Sequence, residues 1–287
     1  MYLADYHTHS RISPDARDSM TALAEAALAA GMDEICFTDH VEPIVWASTD
    51  LRGPYDWSAL KAEFEAAQTA VGDRIQLRLG IELGDACWDF AHTEKLLADA
   101  PPFDFIIGSV HMLSERYKGL DLYYFDPQTE EEAYAGIADY LGQVKELAEV
   151  LIDIHGQHEQ VKELAEWGRF DVLGHLTLPL RYLNENRGWN LSMDRFGEEI
   201  ADIFSILNRK GIGIELNTNR GGTPLPDAMW LRLYGSMAPE PVITLGTDAH
   251  DTGFVGCAVR ERQELLRECG FTRFCTFEKR RHIWHSL

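Results

Sequence analysis

Histidines and carboxylates with metal-ligand character occur in two closely spaced pairs. His7 and His9 are two residues apart near the start of the chain, and Asp248 and His250 repeat this spacing. On an extended strand, residues two apart point to the same face, so each pair can present two ligand atoms to one site. Imidazole and carboxylate groups together suit Zn²⁺, Mn²⁺ or iron. Both pairs are therefore candidate metal ligands.

Short β-rich runs alternate with helical patterns along the chain. The predicted strands span residues 3–8, 34–38, 75–83, 103–110, 170–174, 212–217 and 242–246, and the predicted helices lie near 20–30, 58–71, 129–152, 193–210 and 257–269. This alternation indicates parallel β/α units, and therefore an α/β barrel or a doubly wound sheet. Because the sequence shows no repeat and no Pro- or Ser-rich linker, we expect a single domain spanning residues 1–287.

Six of the seven predicted strands end in a residue that can bind a metal. Besides the two pairs, these residues are His40, Glu82, His111 and His175. The carboxyl ends of parallel barrel strands meet at one face, so these side chains should converge on one cavity. Asp15 can fold over this cavity from the first loop.

A lone histidine at a strand end is more often structural than a ligand. We interpret five histidines as structural residues, namely His92, His155, His158, His282 and His285. Independent structural histidines would not fall at the same end of successive strands, and clustered buried charges need partners. We therefore predict a multinuclear metal site at the strand ends.

Several segments resemble the motifs of the PHP (polymerase and histidinol phosphatase) superfamily, in the same order. They are His7-Thr8-His9, Cys36-Phe37-Thr38-Asp39-His40, Gly80-Ile81-Glu82, Gly108-Ser109-Val110-His111, Gly174-His175 and Gly246-Thr247-Asp248-Ala249-His250. Other segments resemble the histidinol-phosphate phosphatase branch of this superfamily, namely Asp5 to Ser10, Glu34 to His40, Pro102 to Ile106, Glu215-Leu216-Asn217-Thr218 and Gly270 to Phe277.

The resemblance implies a distorted (β/α)7 TIM-like barrel with three divalent ions (Zn, Mn and/or Fe) at the carboxyl ends of its strands. By this analogy, one ion is held by His7, His9, Glu82 and Asp248. Glu82 bridges to a second ion held by His111 and His175, and Asp15, His40 and His250 hold the third.

The resemblance also suggests which residues bind phosphate and act in catalysis. Glu82, Asp248 and Arg181 are the catalytic candidates, and Arg181 matches the position of a phosphate-binding arginine in the family. Arg220 is displaced by one residue from the expected position because Asn219 intervenes, and one residue can reverse side-chain direction on an extended strand. Arg181, Arg220 and His250 are the candidates for binding phosphate.

The function implied by the resemblance is hydrolysis of L-histidinol phosphate to L-histidinol and phosphate in histidine biosynthesis, with hydroxide activated by the metals as nucleophile. One alternative is a PHP phosphoesterase acting on a phosphotyrosine protein, a nucleotide or a short oligonucleotide. Another is a metal-stabilised regulatory barrel without activity, which the complete set of nine candidate ligands disfavours.

Composition and charge restrict the partners. With 26 basic and 47 acidic residues the formal net charge is −21, which disfavours binding to nucleic acid or anionic membranes. The five cysteines contain no C-x-x-C pair, as is typical of a reduced intracellular protein. With no signal-peptide pattern and no long apolar run, we expect a cytoplasmic enzyme with a small-molecule phosphoester substrate.

Two further features bear on function. Three long stretches without a predicted strand contain aromatic residues and are candidates for the rim of the active site. They are residues 41–57, 112–128 and 219–240.

Cys275 and Arg281 have the C-x5-R spacing of cysteine-dependent phosphatases. A phosphate-binding loop favours small residues and glycine, which are missing between them, so we interpret Cys275 as a packing residue.

Overall fold

A computed structural model describes residues 1–46, 48–153 and 170–287, and its centre is a barrel of parallel strands. The strands are β1 Ala4–Thr8, β2 Glu34–Phe37, β3 His40–Val41, β4 Gln76–Gly84, β5 Phe105–Ser109, β6 Val172–Leu173, β7 Gly213–Asn217 and β8 Ile243–Gly246. They pair in the order β1-β2-β4-β5-β6-β7-β8, all in parallel, and β3 also pairs with β4.

The first and last strands of this order approach each other and nearly close the barrel. The backbone N–H of Asp248 donates to the His7 carbonyl at 2.8 Å, and the N–H of His9 donates to the Ala249 carbonyl at 2.8 Å. These bonds join the two segments that carry the paired ligand candidates. The predicted α/β barrel is confirmed, and the doubly wound alternative is wrong.

Helices follow most of the strands. They are α1 Met20–Ala29, α2 Trp57–Val71, α3 Phe90–Leu97, α4 Glu130–Asp153, α5 Gly197–Lys210, α6 Ala228–Met237 and α7 Val259–Glu268. The five predicted helices are confirmed with shifted ends, whereas α3 and α6 were not predicted. Because α6 lies within 219–240, the expectation of a rim loop over that whole range is wrong. His155 and His158 lie outside the described residues.

Local sequence explains where individual helices begin and end. The side chain of Ser19 accepts a hydrogen bond from the Ala22 N–H at the start of α1, and Asp56 does the same for two N–H groups of α2. These side chains satisfy backbone donors that the first helical turn leaves free. Helix α5 ends at Gly211, whose φ of 69° is left-handed and favours glycine.

An antiparallel hairpin follows the barrel and was not predicted. It consists of β9 Arg273–Glu278 and β10 Arg281–Ser286. Cys275 is buried in β9, with its Sγ 3.4 Å from the Ile243 carbonyl, whereas Arg281 is exposed at the start of β10. The two residues therefore lie on neighbouring strands and do not enclose a phosphate-binding loop.

Across the described ranges, helices long and apolar enough to traverse a lipid bilayer are not found.

Candidate metal centre

The nine predicted metal ligands come together at the carboxyl end of the barrel. His7 lies in β1 and His9 directly after it, His40 in β3, Glu82 in β4, His111 after β5, His175 after β6, Asp248 and His250 after β8, and Asp15 in the loop that follows β1. Six strands thus contribute to one cluster, because parallel strands of a barrel end at the same face.

Glu82 lies at the middle of the cluster, and its two oxygens face different histidines. Its Oε1 is 2.8 Å from His175 Nε2 and 3.2 Å from His111 Nε2. Its Oε2 is 3.3 Å from His7 Nε2 and 3.1 Å from His40 Nδ1. The carboxylate can therefore bind two ions, one on each side.

Several buried polar atoms of the cluster have no hydrogen-bond partner. They are His7 Nε2, His9 Nε2, His40 Nδ1 and Glu82 Oε2. Leaving such atoms buried and unpaired costs free energy. Ligand atoms of His7, His9 and Glu82 lie within 4.8 Å of one another, and so do those of His40, Glu82 and His111. Nitrogen and carboxylate oxygen suit zinc, manganese and iron, so these residues fit a metal.

A third group of ligand atoms lies nearer the opening of the cluster. His250 Nε2 is 2.9 Å from Asp15 Oδ2, and His40 Nε2 is 3.8 Å from Asp15 Oδ1. Ligand atoms of His9, His40 and His250 also lie within 4.8 Å of one another. Asp248 Oδ1 connects this group to the first, being 3.4 Å from His9 Nε2 and 3.6 Å from His250 Nδ1.

The electrostatics of the cluster differ from one histidine to the next. Burial alone would lower the pKa of His7 and His111, but the carboxylates around them hold it well above its usual value, so a metal bound there would displace a proton. Burial, together with His40 and His250, holds the pKa of His9 well below its usual value, so its imidazole is neutral. Burial alone would raise the pKa of Glu82, but the surrounding histidines, foremost His7 and His111, hold it well below its usual value. Neutral imidazole and ionised carboxylate are the ligand forms of these side chains.

Arginine side chains lie beside the cluster. Arg181 begins a short π-helical turn, Arg181–Asn186, and its Nη1 donates to Asp248 Oδ2 at 2.5 Å. Its Nε and Nη2 donate to the side-chain oxygens of Asn219 at 2.7 Å and Asn217 at 3.0 Å. Three acceptors therefore fix the direction of this guanidinium before any substrate is bound.

Arg220 reaches the same cavity despite its displacement in sequence. Its Nη2 lies 3.4 Å from the Asp248 carbonyl and 3.4 Å from His250 Nδ1. Asn219 and Arg220 have φ angles of 50° and 52°, a left-handed conformation that is costly for residues other than glycine. This strained turn compensates for the additional residue by directing Arg220 back to the metal cluster.

A cavity of about 1060 Å³ extends from the cluster to the surface. Trp46, Tyr123, Tyr124, Tyr182 and Phe254 contribute aromatic side chains to its wall. Trp46 belongs to the predicted rim stretch 41–57, and its ring meets His40 edge-on at 5.1 Å between centroids. Tyr123 and Tyr124 come from the rim stretch 112–128. These stretches therefore line the cavity, as predicted.

Other functional candidates were missed in the sequence. Glu215 Oε1 accepts a hydrogen bond from His7 Nδ1 at 2.7 Å, and Glu42 Oε1 lies 3.0 Å from His111 Nδ1. The hydroxyl of Ser109 donates to Glu82 Oε1 at 2.6 Å. A glutamate inside the otherwise apolar run 212–216 is the signal that could have identified Glu215, since a buried carboxylate needs a partner.

A model of the PHP domain matches residues 5–219. This match covers more than half of the chain, so the chain belongs to the PHP domain family. The resemblance to this family is thereby confirmed.

Individual relatives are similar over nearly the whole chain. The histidinol-phosphatase of Lactococcus lactis is 26% identical over 284 residues, which cover 95% of this chain and 93% of the relative. A protein of Deinococcus radiodurans named "Probable histidinol-phosphatase" is 28% identical over 283 residues, covering 97% and 98%.

A solved structure has the same fold. The crystal structure of histidinol phosphate phosphatase from Lactococcus lactis, complexed with zinc, L-histidinol and phosphate, matches with a TM-score of 0.75. The match has 22% sequence identity and covers 98% of both chains. At this level of identity the comparison supports the barrel fold of the present chain.

Proposed function

We propose that this protein is a metal-dependent phosphomonoesterase that hydrolyses L-histidinol phosphate to L-histidinol and phosphate. The observation that carries the proposal is the convergence of imidazole and carboxylate ligands around Glu82, next to two arginines, inside one deep cavity. Support for the substrate comes from the Lactococcus lactis relative, whose structure contains zinc, L-histidinol and phosphate. Under this proposal the enzyme serves histidine biosynthesis in the cytoplasm.

The cluster would hold three divalent ions of the zinc, manganese and iron class. His7, His9, Glu82 and Asp248 would hold the first ion, and Glu82, His111 and His175 would hold the second. Asp15, His40 and His250 would hold the third. When bound, such ions neutralise the charge of a phosphoryl group and lower the pKa of water.

The residues of the chain bind and orient the phosphate ester. Arg181 and Arg220 present N–H donors to the phosphoryl oxygens, and guanidinium groups match the geometry of phosphate. Because Asn217, Asn219 and Asp248 already hold Arg181, little reorganisation is needed when charge develops in the transition state. The aromatic walls then enclose the organic part of the substrate and exclude water from it.

A panel of phosphate esters tests the proposal. With metal-loaded enzyme, we expect kcat/KM for L-histidinol phosphate to exceed that for p-nitrophenyl phosphate, phosphotyrosine and nucleotides, because only its leaving group carries an imidazole and an ammonium group. The Arg181→Ala variant should lower kcat/KM about 100-fold for every ester, because it removes a donor to the shared phosphate.

The possible outcomes separate the alternatives. Equal rates for histidinol phosphate and p-nitrophenyl phosphate would leave only a general phosphoesterase. A preference for phosphotyrosine or nucleotides would assign a different PHP substrate. If no ester is hydrolysed by fully loaded protein, the non-enzymatic, metal-stabilised barrel is the better description.

A further inference from the structure

Glu215 lies next to the metal cluster but is not among its predicted ligands. It is in the middle of β7, a barrel strand that carries none of the nine ligand candidates, and its side chain is buried, with 1% exposure. A buried carboxylate in this position needs compensating hydrogen bonds. The identity of its partners indicates what it does.

The two oxygens of Glu215 are occupied by different donors. Oε1 accepts from His7 Nδ1 at 2.7 Å. Oε2 accepts from the backbone N–H of His175 at 2.9 Å and lies 3.3 Å from the side-chain nitrogen of Asn217. An ionised carboxylate accepts at both oxygens, whereas an amide has one acceptor and one donor. Of these two groups, only the carboxylate can accept from a protonated His7 Nδ1 and from the His175 N–H at the same time.

The contact with His7 determines which ring nitrogen is free. When Nδ1 carries the proton and donates it to Glu215, the lone pair of Nε2 is available for a metal. His7 Nε2 lies 3.3 Å from Glu82 Oε2 and 3.7 Å from Asp248 Oδ1, and it has no hydrogen-bond partner. The lone pair therefore faces the first metal position.

The neighbouring strand leaves room for this contact. Gly246 ends β8 beside His7 and Glu215, and a Cβ at residue 246 would collide with both the His7 Cβ and Glu215 Oε1. A glycine is needed at this position because the two side chains pack against its Cα, and not because the backbone turns there. The Glu215–His7 contact is thus accommodated by three strands, β1, β7 and β8.

From these contacts we propose that Glu215 is a positioning residue for the metal centre. One oxygen sets the tautomer and direction of His7, a ligand candidate of the first ion. The other holds the backbone at His175, a ligand candidate of the second ion. Glu215 would thereby connect the two metal positions through His7 and His175 rather than as a ligand itself. The inference rests on the proposed metal centre, but it does not depend on which phosphate ester is hydrolysed.

The Glu215→Gln variant tests the proposal in a metal-binding experiment without substrate. Competition with a chelator should show metal affinity reduced about 10–100-fold, the usual cost of losing such a partner of a metal-bound histidine. In the Co²⁺-loaded protein, the visible absorption bands should shift, because the ligand field at His7 changes. At saturating metal, kcat for a reactive phosphate ester should fall more than KM rises.

Glu34→Gln is the matched control. Glu34 is also buried and starts β2, at the opposite end of the barrel strands, where it binds the hydroxyls of Tyr2 and Tyr6 and the guanidinium of Arg78. Its loss should lower the melting temperature but leave metal affinity and the Co²⁺ spectrum as in the parent. Equal effects of both variants on metal affinity would indicate general destabilisation and would overturn the assignment.

A second variant, Glu215→Asp, tests the proposal if Glu215→Gln does not fold. Glu215→Asp keeps the charge but is one methylene shorter, so it cannot reach both His7 and the His175 N–H. We expect weaker metal binding and an altered Co²⁺ spectrum here as well. If the folded Glu215 variants bind metal with parental affinity and an unchanged spectrum, Glu215 does not position the ligands. Absence of phosphatase activity in the parent would instead contradict the proposed function alone.

Discussion

At the scale of single residues, Glu82 connects the histidines of the cluster through its two oxygens. Oε1 faces His111 and His175, and Oε2 faces His7. In Glu82→Gln, one oxygen becomes an amide nitrogen, which cannot act as a ligand. We expect hydrolysis to fall below detection and the metal content per chain to decrease, measured by a phosphate-release assay and elemental analysis.

Circular dichroism of the same variant provides the control for folding. Because the strand ends also pair through backbone bonds, the secondary structure should be retained. A folded Glu82→Gln protein with its full metal content and parental kcat would show that Glu82 does not bridge the metal positions.

For Cys275, in contrast to Glu82, we expect a substitution to leave the activity unchanged. Its thiol is 1% exposed, it contacts the Ile243 carbonyl, and burial raises its pKa, so it is not a thiolate at neutral pH. We expect Cys275→Ser to keep parental kcat and KM and to lose about 1 kcal/mol of stability, the typical effect of a single substitution. A folded, metal-loaded but inactive Cys275→Ser enzyme would support a cysteine nucleophile instead.

The sequence predicted the nine clustered residues but not the conformations that aim them. Strand-end positions follow from spacing along extended chains, so His7 and His9 could be identified without a structure. Arg220 was also a candidate, but the direction of its side chain could not be predicted, because it depends on two successive left-handed residues, Asn219 and Arg220. Glu215 was missed since its role depends on a contact across three strands.

At the scale of elements, the apolar strands were predictable, whereas two helices and the hairpin were not. Helix α6 follows Pro224 and Pro226 and contains Gly235, which indicate a loop. The hairpin turns at Lys279 and Arg280, with φ angles of 51° and 63°, where Asn-Gly would be typical. Without that signal, the alternation of β9 and β10 does not identify a hairpin.

The stretch 112–128 supplies a carboxylate that can select the organic part of the substrate. Asp121 lines the cavity, and its Oδ1 accepts a hydrogen bond from the Tyr123 N–H at 2.7 Å. Burial raises its pKa, and among the described residues it has no ion-pair partner. A cationic ammonium or imidazolium group of the substrate would complement this charge.

We expect Asp121→Asn to raise KM for L-histidinol phosphate about tenfold, equivalent to about 1.4 kcal/mol, while kcat/KM for p-nitrophenyl phosphate stays unchanged. Asparagine can still accept from the Tyr123 N–H, so the turn is preserved. The matched control is Asp126→Asn, which removes a more exposed carboxylate paired with Arg187. Equal losses for both esters would exclude Asp121 from leaving-group selection.

At the scale of the whole molecule, the chain has a net charge of −21, and part of its negative charge is concentrated in the buried carboxylates of the cluster. Glu82, Asp248, Glu42 and Glu215 are all buried at one end of the barrel, and their mutual repulsion opposes folding unless cations compensate. Divalent ions would supply that charge inside a protein whose surface is acidic. The stability of the whole barrel should therefore depend on metal.

Removing the metal ions should lower the melting temperature without abolishing the fold. An ion present at 100 times its Kd stabilises the folded state by about 2.7 kcal/mol, and each kcal/mol corresponds to about 2–4 °C in a chain of this size class. Differential scanning calorimetry of chelated and metal-loaded protein measures the shift. Because residues 1–287 are expected to form one domain, both forms should unfold in a single transition.

Titrating the apo protein with Mn²⁺, Fe²⁺ or Zn²⁺ should restore the melting temperature as three ions per chain are taken up, counted by elemental analysis. Three are expected because the ligand candidates form three groups, around His7, around His111 and around His250, and Glu82 belongs to the first two. The Glu82→Gln protein is the control, since its melting temperature should respond less to added metal. Binding of less than one ion per chain after reconstitution would contradict the trinuclear centre and leave the buried carboxylates without their proposed partners.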